Sequence, residues 1–138
     1  MTLKELSQLY WLNKEIARDR QRLEELTASA YSVRTPQLTG MPSGTVKGSA
    51  VERNAAEIAD LRAIIEAKTA QCLHERNRLE RYIAGIPDSL TRQVFTLRFV
   101  DGLSWLKVAR GVGGYNTADS VRMICNRYID KENEKERH

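Results

Sequence analysis

The polar and basic side chains that could bind a ligand gather in one stretch, residues 107–127, "KVARGVGGYNTADSVRMICNR". Arginine and lysine pair with phosphate oxygens, and arginine and asparagine can also hydrogen-bond to the edges of guanine and adenine. Three glycines interrupt the stretch, Gly111, Gly113 and Gly114, in a chain that has only 8. The chemistry that this composition favours is non-covalent recognition of a nucleic acid.

The candidate contact residues share a polar or exposed position on two predicted helices and the turn between them. They are Lys107, Arg110, Tyr115, Asn116, Thr117, Ser120, Arg122, Met123, Asn126 and Arg127. Asn126 is placed to read adenine, and Arg122 or Arg127 to read guanine or to hold phosphates. The structural alternative for Arg122 is a solvated side chain or a pair with Asp119.

A helix over residues 88–100 precedes this stretch. Pro87 stops the long helix before it and suits the first turn of the new one. Four apolar residues share one face of the helix, namely Leu90, Val94, Leu97 and Val100. Gly102 then suits a left-handed cap at its end.

Two further helices carry the candidate residues themselves. Ser104 is a natural N-cap for a short helix that ends near Arg110, and Thr117 caps a last helix that runs to about Asn133. The last helix turns one apolar face inward, made of Val121, Ile124, Cys125, Tyr128 and Ile129.

The three glycines predict the turn between these two helices, because glycine reaches positive φ without steric cost. Three short helices, of which the last two are joined by such a turn, predict a helix-turn-helix. The same geometry also serves purely as a packing unit, so the pattern alone leaves both readings open.

A set of residues between 97 and 122 follows a known spacing: Leu97, Arg98, Gly102, Leu103, Ser104, Val108, Ala109, Val121 and Arg122. The set resembles region 4 of bacterial sigma-70 factors, whose pattern is roughly L-R-x-x-x-G-L-S-x-x-E-I-A, a turn, and T-V-R. "GGYNTADSVR" at 113–122 and "TGMP" at 39–42 resemble segments of phage-encoded sigma-region-4-like proteins of the ArpU/RinA type, regulators of late phage genes. The resemblance covers most of the chain and implies a helix-turn-helix that binds double-stranded DNA.

The sequence also departs from the sigma pattern. Lys107 stands where the pattern has glutamate, and the turn before Thr117 is longer than the sigma turn. Nothing in the chain resembles the sigma region that melts promoter DNA. We therefore expect a regulator and not a complete sigma factor.

The first 86 residues predict two long amphipathic helices around a loop. Apolar residues at helical spacing mark a helix from residue 3 to about 30, namely Leu9, Leu12, Ile16, Leu23 and Leu26. Residues 31–48 hold prolines and glycines and predict a loop. Ser49 and Glu52 then form a capping-box pattern that would begin the second helix.

An apolar residue recurs every seven positions along the second helix, at Val51, Ile58, Ile65, Cys72, Leu79 and Ile86. Such a helix cannot bury its stripe alone, so we expect it to fold back on the first helix as an antiparallel, coiled-coil-like hairpin. Because the first helix is shorter, a second copy is expected to cover the rest, which predicts a dimer or higher homo-oligomer. Tyr10 and Trp11 are expected in the hairpin core or an oligomer contact, and Trp105 in the core beside the last helices.

The predicted organisation is therefore all-α. An N-terminal helical hairpin covers residues 1–86, a sigma-region-4-like helix-turn-helix covers 87–133, and a charged tail that frays covers 134–138.

Composition bounds the remaining classes of function. The chain has 138 residues and a net charge of +4, which permits nucleic-acid binding without requiring it. It shows no long apolar run and no secretory signal, and its 2 cysteines suit a reducing compartment, so we expect the cytoplasm of a bacterial host cell. We expect no cofactor, no metal at Cys72 and His74, which point in different directions, and no enzyme, because no nucleophile and base stand together.

The functional expectation is a phage or prophage transcription regulator. Its expected partners are double-stranded DNA, host RNA polymerase and further copies of itself, with no membrane. Two alternatives stay open: a DNA-packaging recognition subunit of the small terminase kind, and a protein that binds RNA polymerase or a sigma factor without reading DNA. In packaging subunits the DNA-binding part usually comes first, whereas here it comes last.

Overall fold

The computed structural model of the chain describes residues 1–32 and 44–137. All regular structure in those ranges is helical, which confirms the all-α prediction. The elements are α1 (Leu3–Leu6), α2 (Gln8–Ser32), α3 (Gly44–Ala84), α4 (Ser89–Phe95) with a π-helical continuation (Thr96–Val100), α5 (Trp105–Val112) and α6 (Ala118–Glu136). No helix in these ranges combines the length and apolar character that crossing a bilayer requires.

The described helices belong to two compact units. Met1–Asn13 and Cys72–His138 form the first unit, and Lys14–Gln71 forms the second unit. The predicted boundary between residues 86 and 87 lies inside the first unit. Each unit has its own buried apolar residues, so each can be described by itself.

Phe95 lies at the centre of the first unit's core. Its ring centroid is 5.3 Å from that of Phe99, 5.5 Å from that of Tyr128 and 6.3 Å from that of Tyr82. Around these rings the fully buried side chains are Leu6, Leu79, Ile86, Val94, Val108, Val121 and Cys125. This core holds the last three helices together and so fixes which of their residues face solvent.

A π-helical turn follows α4. Asp101 N–H donates to the Thr96 carbonyl at 3.0 Å, five residues back, in place of the usual four. The predicted face of this helix is confirmed, because Val94 is buried in the core and Leu90, Leu97 and Val100 pack against it. Phe95 and Phe99 are buried as well, which the prediction did not include.

The N-terminal helix was predicted to run without a break from residue 3, but the structure divides it into two helices. The short helix α1 begins with a capping box between Thr2 and Glu5, and Ser7 separates it from α2. The Ser7 hydroxyl donates to the Leu3 carbonyl at 2.8 Å, which closes the last turn of α1. Helix α2 then continues to Ser32, so the helix also ends later than predicted.

The second unit pairs the middle parts of α2 and α3. Ile16 and Leu61 are buried, and four predicted stripe residues are half-buried, namely Leu23, Leu26, Ile58 and Ile65. Lys68 Nζ lies 2.6 Å from Asp19 Oδ2 and 3.5 Å from Glu15 Oε2. The hydrogen bond to Asp19, more than any other interaction, raises the pKa of Lys68 above its ordinary value. The apolar stripe and this ion cluster bind the two helices to each other.

The predicted loop over 31–48 is too long at both ends. Helix α2 extends through Ser32 and α3 begins at Gly44, so Ser49 lies inside α3 and the prediction that Ser49 starts this helix is wrong. Glycine disfavours a helix by only about 1 kcal/mol per residue, which favourable context can offset. The remaining loop residues, with the "TGMP" segment at 39–42, lie outside the described residues.

Two further boundaries differ from the predictions. Asp88 is the N-cap of α4, and its side chain accepts from Thr91 N–H at 3.1 Å, so Pro87 lies outside the helix and not in its first turn. The charged tail is helical to Glu136, three residues beyond the predicted end of the last helix, and its fraying stays a prediction. Glu132 anchors it, because its carboxylate accepts hydrogen bonds from the hydroxyls of Tyr82 and Tyr128.

The predictions for Trp105 and for the pair Tyr10 and Trp11 have different outcomes. Trp105 is half-buried and packs against the first unit's core, as predicted. Tyr10 and Trp11 are 36% and 57% exposed, so the prediction that they lie in a hairpin core is wrong. Their rings contact each other edge to face, with centroids 5.2 Å apart. An oligomer contact at these two rings stays a prediction.

Candidate nucleic-acid interface

Helix α5 presents the first two candidate residues. Ser104 caps it, with its hydroxyl accepting from Lys107 N–H at 3.3 Å, which confirms the predicted N-cap. Val108 and Ala109 are buried against the core, so this face of the helix is fixed. Lys107 and Arg110 lie on the opposite face and are exposed.

Gly111 belongs to α5 and not to the turn, which corrects the prediction for this glycine. Helix α5 runs two residues beyond the predicted end at Arg110, to Val112. A Cβ at Gly111 would lie 3.1 Å from Leu97 Cδ1 on the π-helical segment. A side chain at this position would make a tight contact that Leu97 would have to yield to, so this glycine lies where two helices approach closely.

The turn that joins α5 to α6 uses positive φ at three successive residues. Gly113, Gly114 and Tyr115 have φ of 75°, 64° and 64°, so the prediction holds for two of the three glycines. Asn116 closes the turn, because its Nδ2 donates to the Gly113 carbonyl at 2.8 Å. The side chain of Asn116 is thus used within the turn, whereas that of Tyr115 is fully exposed.

A capping box starts α6. Thr117 Oγ1 accepts from Ser120 N–H at 3.1 Å, and Ser120 Oγ accepts from Thr117 N–H at 2.8 Å. The Ser120 hydroxyl also donates to Asn116 Oδ1 at 3.3 Å. Three of the candidate residues, Asn116, Thr117 and Ser120, therefore make hydrogen bonds that stabilise the free protein. Asn116 and Ser120 are half-buried, and Thr117 is exposed.

The inward face of α6 is the predicted one. Val121, Cys125 and Ile129 are buried, and Ile124 and Tyr128 are half-buried. Burial raises the pKa of the Cys125 thiol to about 12, so this cysteine is an uncharged core residue near neutral pH. Because one face is held this firmly, the direction of the other face is fixed as well.

The outward face of α6 carries the remaining candidates. Arg122, Met123, Asn126 and Arg127 are all exposed, as is Asp119. Arg122 Nη2 lies 3.3 Å from Asp119 Oδ1, so the structure shows the pair that the sequence left as an alternative. Sequence reasoning did not include Asp119 among the site residues, although its spacing of three from Arg122 on one helix face was a usable signal.

The cations of this surface differ in whether a carboxylate neutralises them. Within the described part of the chain, no carboxylate lies within 4.0 Å of Lys107, Arg110 or Arg127, whereas Arg122 is paired. We call these three residues the unpaired cations. Their charge is available to an outside anion without first breaking an internal ion pair.

Arg98 also matches the sigma pattern, but it is half-buried, unlike the exposed cations of α5 and α6. Its guanidinium lies 4.5 Å from the centroid of the Trp105 ring, and Nη1 donates to the Leu103 carbonyl at 2.9 Å. These contacts tie the π-helical segment to the start of α5. Arg98 therefore supports the position of α5 and does not extend the exposed surface.

No group of three metal-binding side chains gathers anywhere in residues 1–32 and 44–137. Cys72 Sγ donates to Asn13 Oδ1 at 2.9 Å, within the first unit. Helices α5 and α6 and the turn between them thus expose cations, an amide and a phenol to solvent. Such groups can hydrogen-bond to an anionic partner.

Comparison of the chain with protein-family models, with curated proteins and with solved structures finds no match.

Proposed function

We propose that this protein binds double-stranded DNA through α5, α6 and the turn between them, acting as a helix-turn-helix without catalysis. The observation that carries the proposal is the exposed surface on which Lys107, Arg110 and Arg127 have no carboxylate partner while the other face of each helix is locked in the core. Duplex DNA is a dense polyanion, and binding it releases condensed counterions for each phosphate that a cation neutralises.

The outward face of α6 supports base contacts in addition to phosphate contacts. Arg122 and Asn126 lie on it, and these residue types hydrogen-bond to guanine and adenine in the major groove. A recognition helix contacts base edges with its N-terminal residues while its opposite face packs in the core, and the exposed and buried faces of α6 support this assignment. We assign α6 this role and α5 the role of the helix that crosses the backbone.

The resemblance to sigma region 4 and to ArpU/RinA-type proteins supports a more specific proposal. We propose that the DNA is a promoter or operator and that the protein regulates phage or prophage transcription. The resembling residues include Gly102, Ser104 and Arg122, and the first two of them occupy a turn and a cap in this fold.

Two measurements test this function. Anisotropy of a labelled mixed-sequence duplex should show binding that weakens steeply as salt rises. Sequencing of genomic fragments retained by the immobilised protein should then yield a shared motif upstream of genes. Salt-independent retention of RNA polymerase with no DNA binding would favour the polymerase-binding alternative, and a motif at a packaging site would favour the terminase-like one.

We also propose that α2 and α3 form an antiparallel hairpin that makes the protein a homo-oligomer. The ion cluster of Lys68 with Asp19 and Glu15 supports the pairing of the two helices. Helix α3 has 41 residues and α2 has 25, and Ile64 remains 46% exposed on α3. Light scattering should report a dimer or larger assembly, and Ile65→Asp should dissociate it. A monomer at high micromolar concentration would refute the proposal.

A further inference from the structure

Tyr115 is the one residue other than glycine that has a positive φ in the described part of the chain. A side chain with a Cβ is strained in this region, and asparagine and glycine are the residues that adopt it readily. Hydrogen bonds hold the residues next to Tyr115 in place. Asn116 Nδ2 donates to the Gly113 carbonyl at 2.8 Å, and Gly113 N–H donates to the Ala109 carbonyl at 3.0 Å.

Among the described residues, the Tyr115 side chain makes no contact that would offset this strain. The Tyr115 side chain is fully exposed, and within the described residues its hydroxyl makes no hydrogen bond and its ring no aromatic contact. Three other tyrosines differ. Tyr82 and Tyr128 hydrogen-bond to Glu132 and pack on Phe95, and Tyr10 contacts Trp11. For folding alone, asparagine would be the better residue at position 115.

We propose that Tyr115 is a contact to the DNA backbone, with its hydroxyl donating to a phosphate oxygen and its ring packing on a deoxyribose. The assignment rests on the proposed function and deepens it. Tyr115 lies two residues before the cap of α6, between the cations of α5 and those of α6 in the chain. Tyrosine is one of the side chains that bind phosphate groups without reading sequence, so the contact positions the protein on any duplex. The fold gives up stability at this residue, and the complex gains affinity from it.

Two variants at this position separate strain from contact. Tyr115→Asn removes the ring and relieves the strain, whereas Tyr115→Ala removes the ring and keeps the strain. Both should lose about tenfold in affinity for a labelled mixed-sequence duplex, the order expected for one hydrogen bond to a charged group. Only Tyr115→Asn should melt higher than the wild type, by about 3 °C. Because tyrosine is uncharged, the dependence of binding on salt should stay unchanged in both.

A third variant tests the assigned atom. Tyr115→Phe keeps the ring and the backbone strain, so it should melt like the wild type but lose most of the affinity that Tyr115→Ala loses. Full affinity in Tyr115→Phe would overturn the contact between the hydroxyl and a phosphate.

The remaining outcomes also decide the proposal. Unchanged affinity in Tyr115→Asn and Tyr115→Ala, with the wild type binding DNA, would show that Tyr115 is no DNA contact. Equal melting of these two variants would overturn the argument from strain. Absence of duplex binding by the wild-type protein at low salt would instead refute the proposed function itself, and this inference with it.

Discussion

Lys68 in the second unit and the unpaired cations of the first unit show two ways in which a helix surface can carry positive charge. Lys68 lies between Asp19 and Glu15, so its charge is neutralised within the protein. The unpaired cations Lys107, Arg110 and Arg127 have exposed side chains and no carboxylate within 4.0 Å in the described residues. Net charge alone would not separate the two regions. The difference teaches that the local pairing of a charge indicates whether it serves the fold or an outside partner.

The largest expected effect comes from removing the unpaired cations together. In a variant with Lys107→Ala, Arg110→Ala and Arg127→Ala, DNA affinity at low salt should fall about a hundredfold, because three phosphate contacts are lost. The melting temperature should stay close to that of the wild type, since all three side chains are exposed. Fluorescence anisotropy and circular dichroism measure the two quantities.

Lys68→Ala is the matched control, because it removes a cation that carboxylates within the protein already neutralise. It should lower the melting temperature and leave DNA affinity unchanged. A loss of affinity as large as that of the triple variant would remove the distinction between paired and unpaired cations.

A smaller effect is expected from the turn that orients α6. Gly113→Ala should lower the free energy of unfolding by about 1–2 kcal/mol, because alanine resists positive φ. Urea denaturation followed by circular dichroism measures this change. Gly85→Ala is the control: a Cβ there would lie 3.4 Å from the Tyr82 carbonyl oxygen, an ordinary contact, and its φ is not positive. If both variants lose the same stability, the left-handed turn is not what places α6.

The smallest effect concerns the anchor of the C-terminal part of α6. Burial, and then the hydrogen bond to Glu132, raise the pKa of Tyr82 far above its ordinary value of 10.0. The neutral phenol is therefore favoured in the folded state. Its stabilisation is fully present below pH 10 and is lost as the pH rises above that value.

Tyr82→Phe should accordingly be less stable than the wild type near neutral pH but lose less stability between about pH 8 and about pH 11. Melting temperatures across this range measure the effect. Tyr115→Phe, at an exposed ring, should follow the wild-type curve. Parallel curves for all three proteins would contradict the role of the Tyr82 hydroxyl.

Periodicity in the sequence was enough to predict the faces of the helices but not every boundary. The inward face of α6 and the caps at Ser104 and Thr117 follow from short-range patterns and were predicted correctly. The π-helical turn was missed because an added residue in a helix leaves no sequence signature of its own. Phe95 and Phe99, which are four residues apart and buried, were also missing from the predicted core.

The roles of the glycines could not be told apart from the sequence either. Gly111 and Gly113 look alike in the sequence, but one permits the approach of Leu97 and the other a positive φ. Only the tertiary contact separates these roles. The candidate site was predicted as a set of residues. The sequence indicated the pairing of Arg122 with Asp119 only as an alternative, and it did not reveal that Asn116 is used within the turn and Ser120 within the cap.

The central claim is that the surface of α5 and α6 binds duplex DNA through its unpaired cations. The most direct measurement is the affinity of the wild-type protein for a labelled duplex over a series of salt concentrations, repeated with the triple alanine variant. The logarithm of the association constant should fall linearly with the logarithm of salt, and the slope of the variant should be shallower by about 3. Equal slopes for the two proteins, or no binding by the wild type at low salt, would contradict the claim.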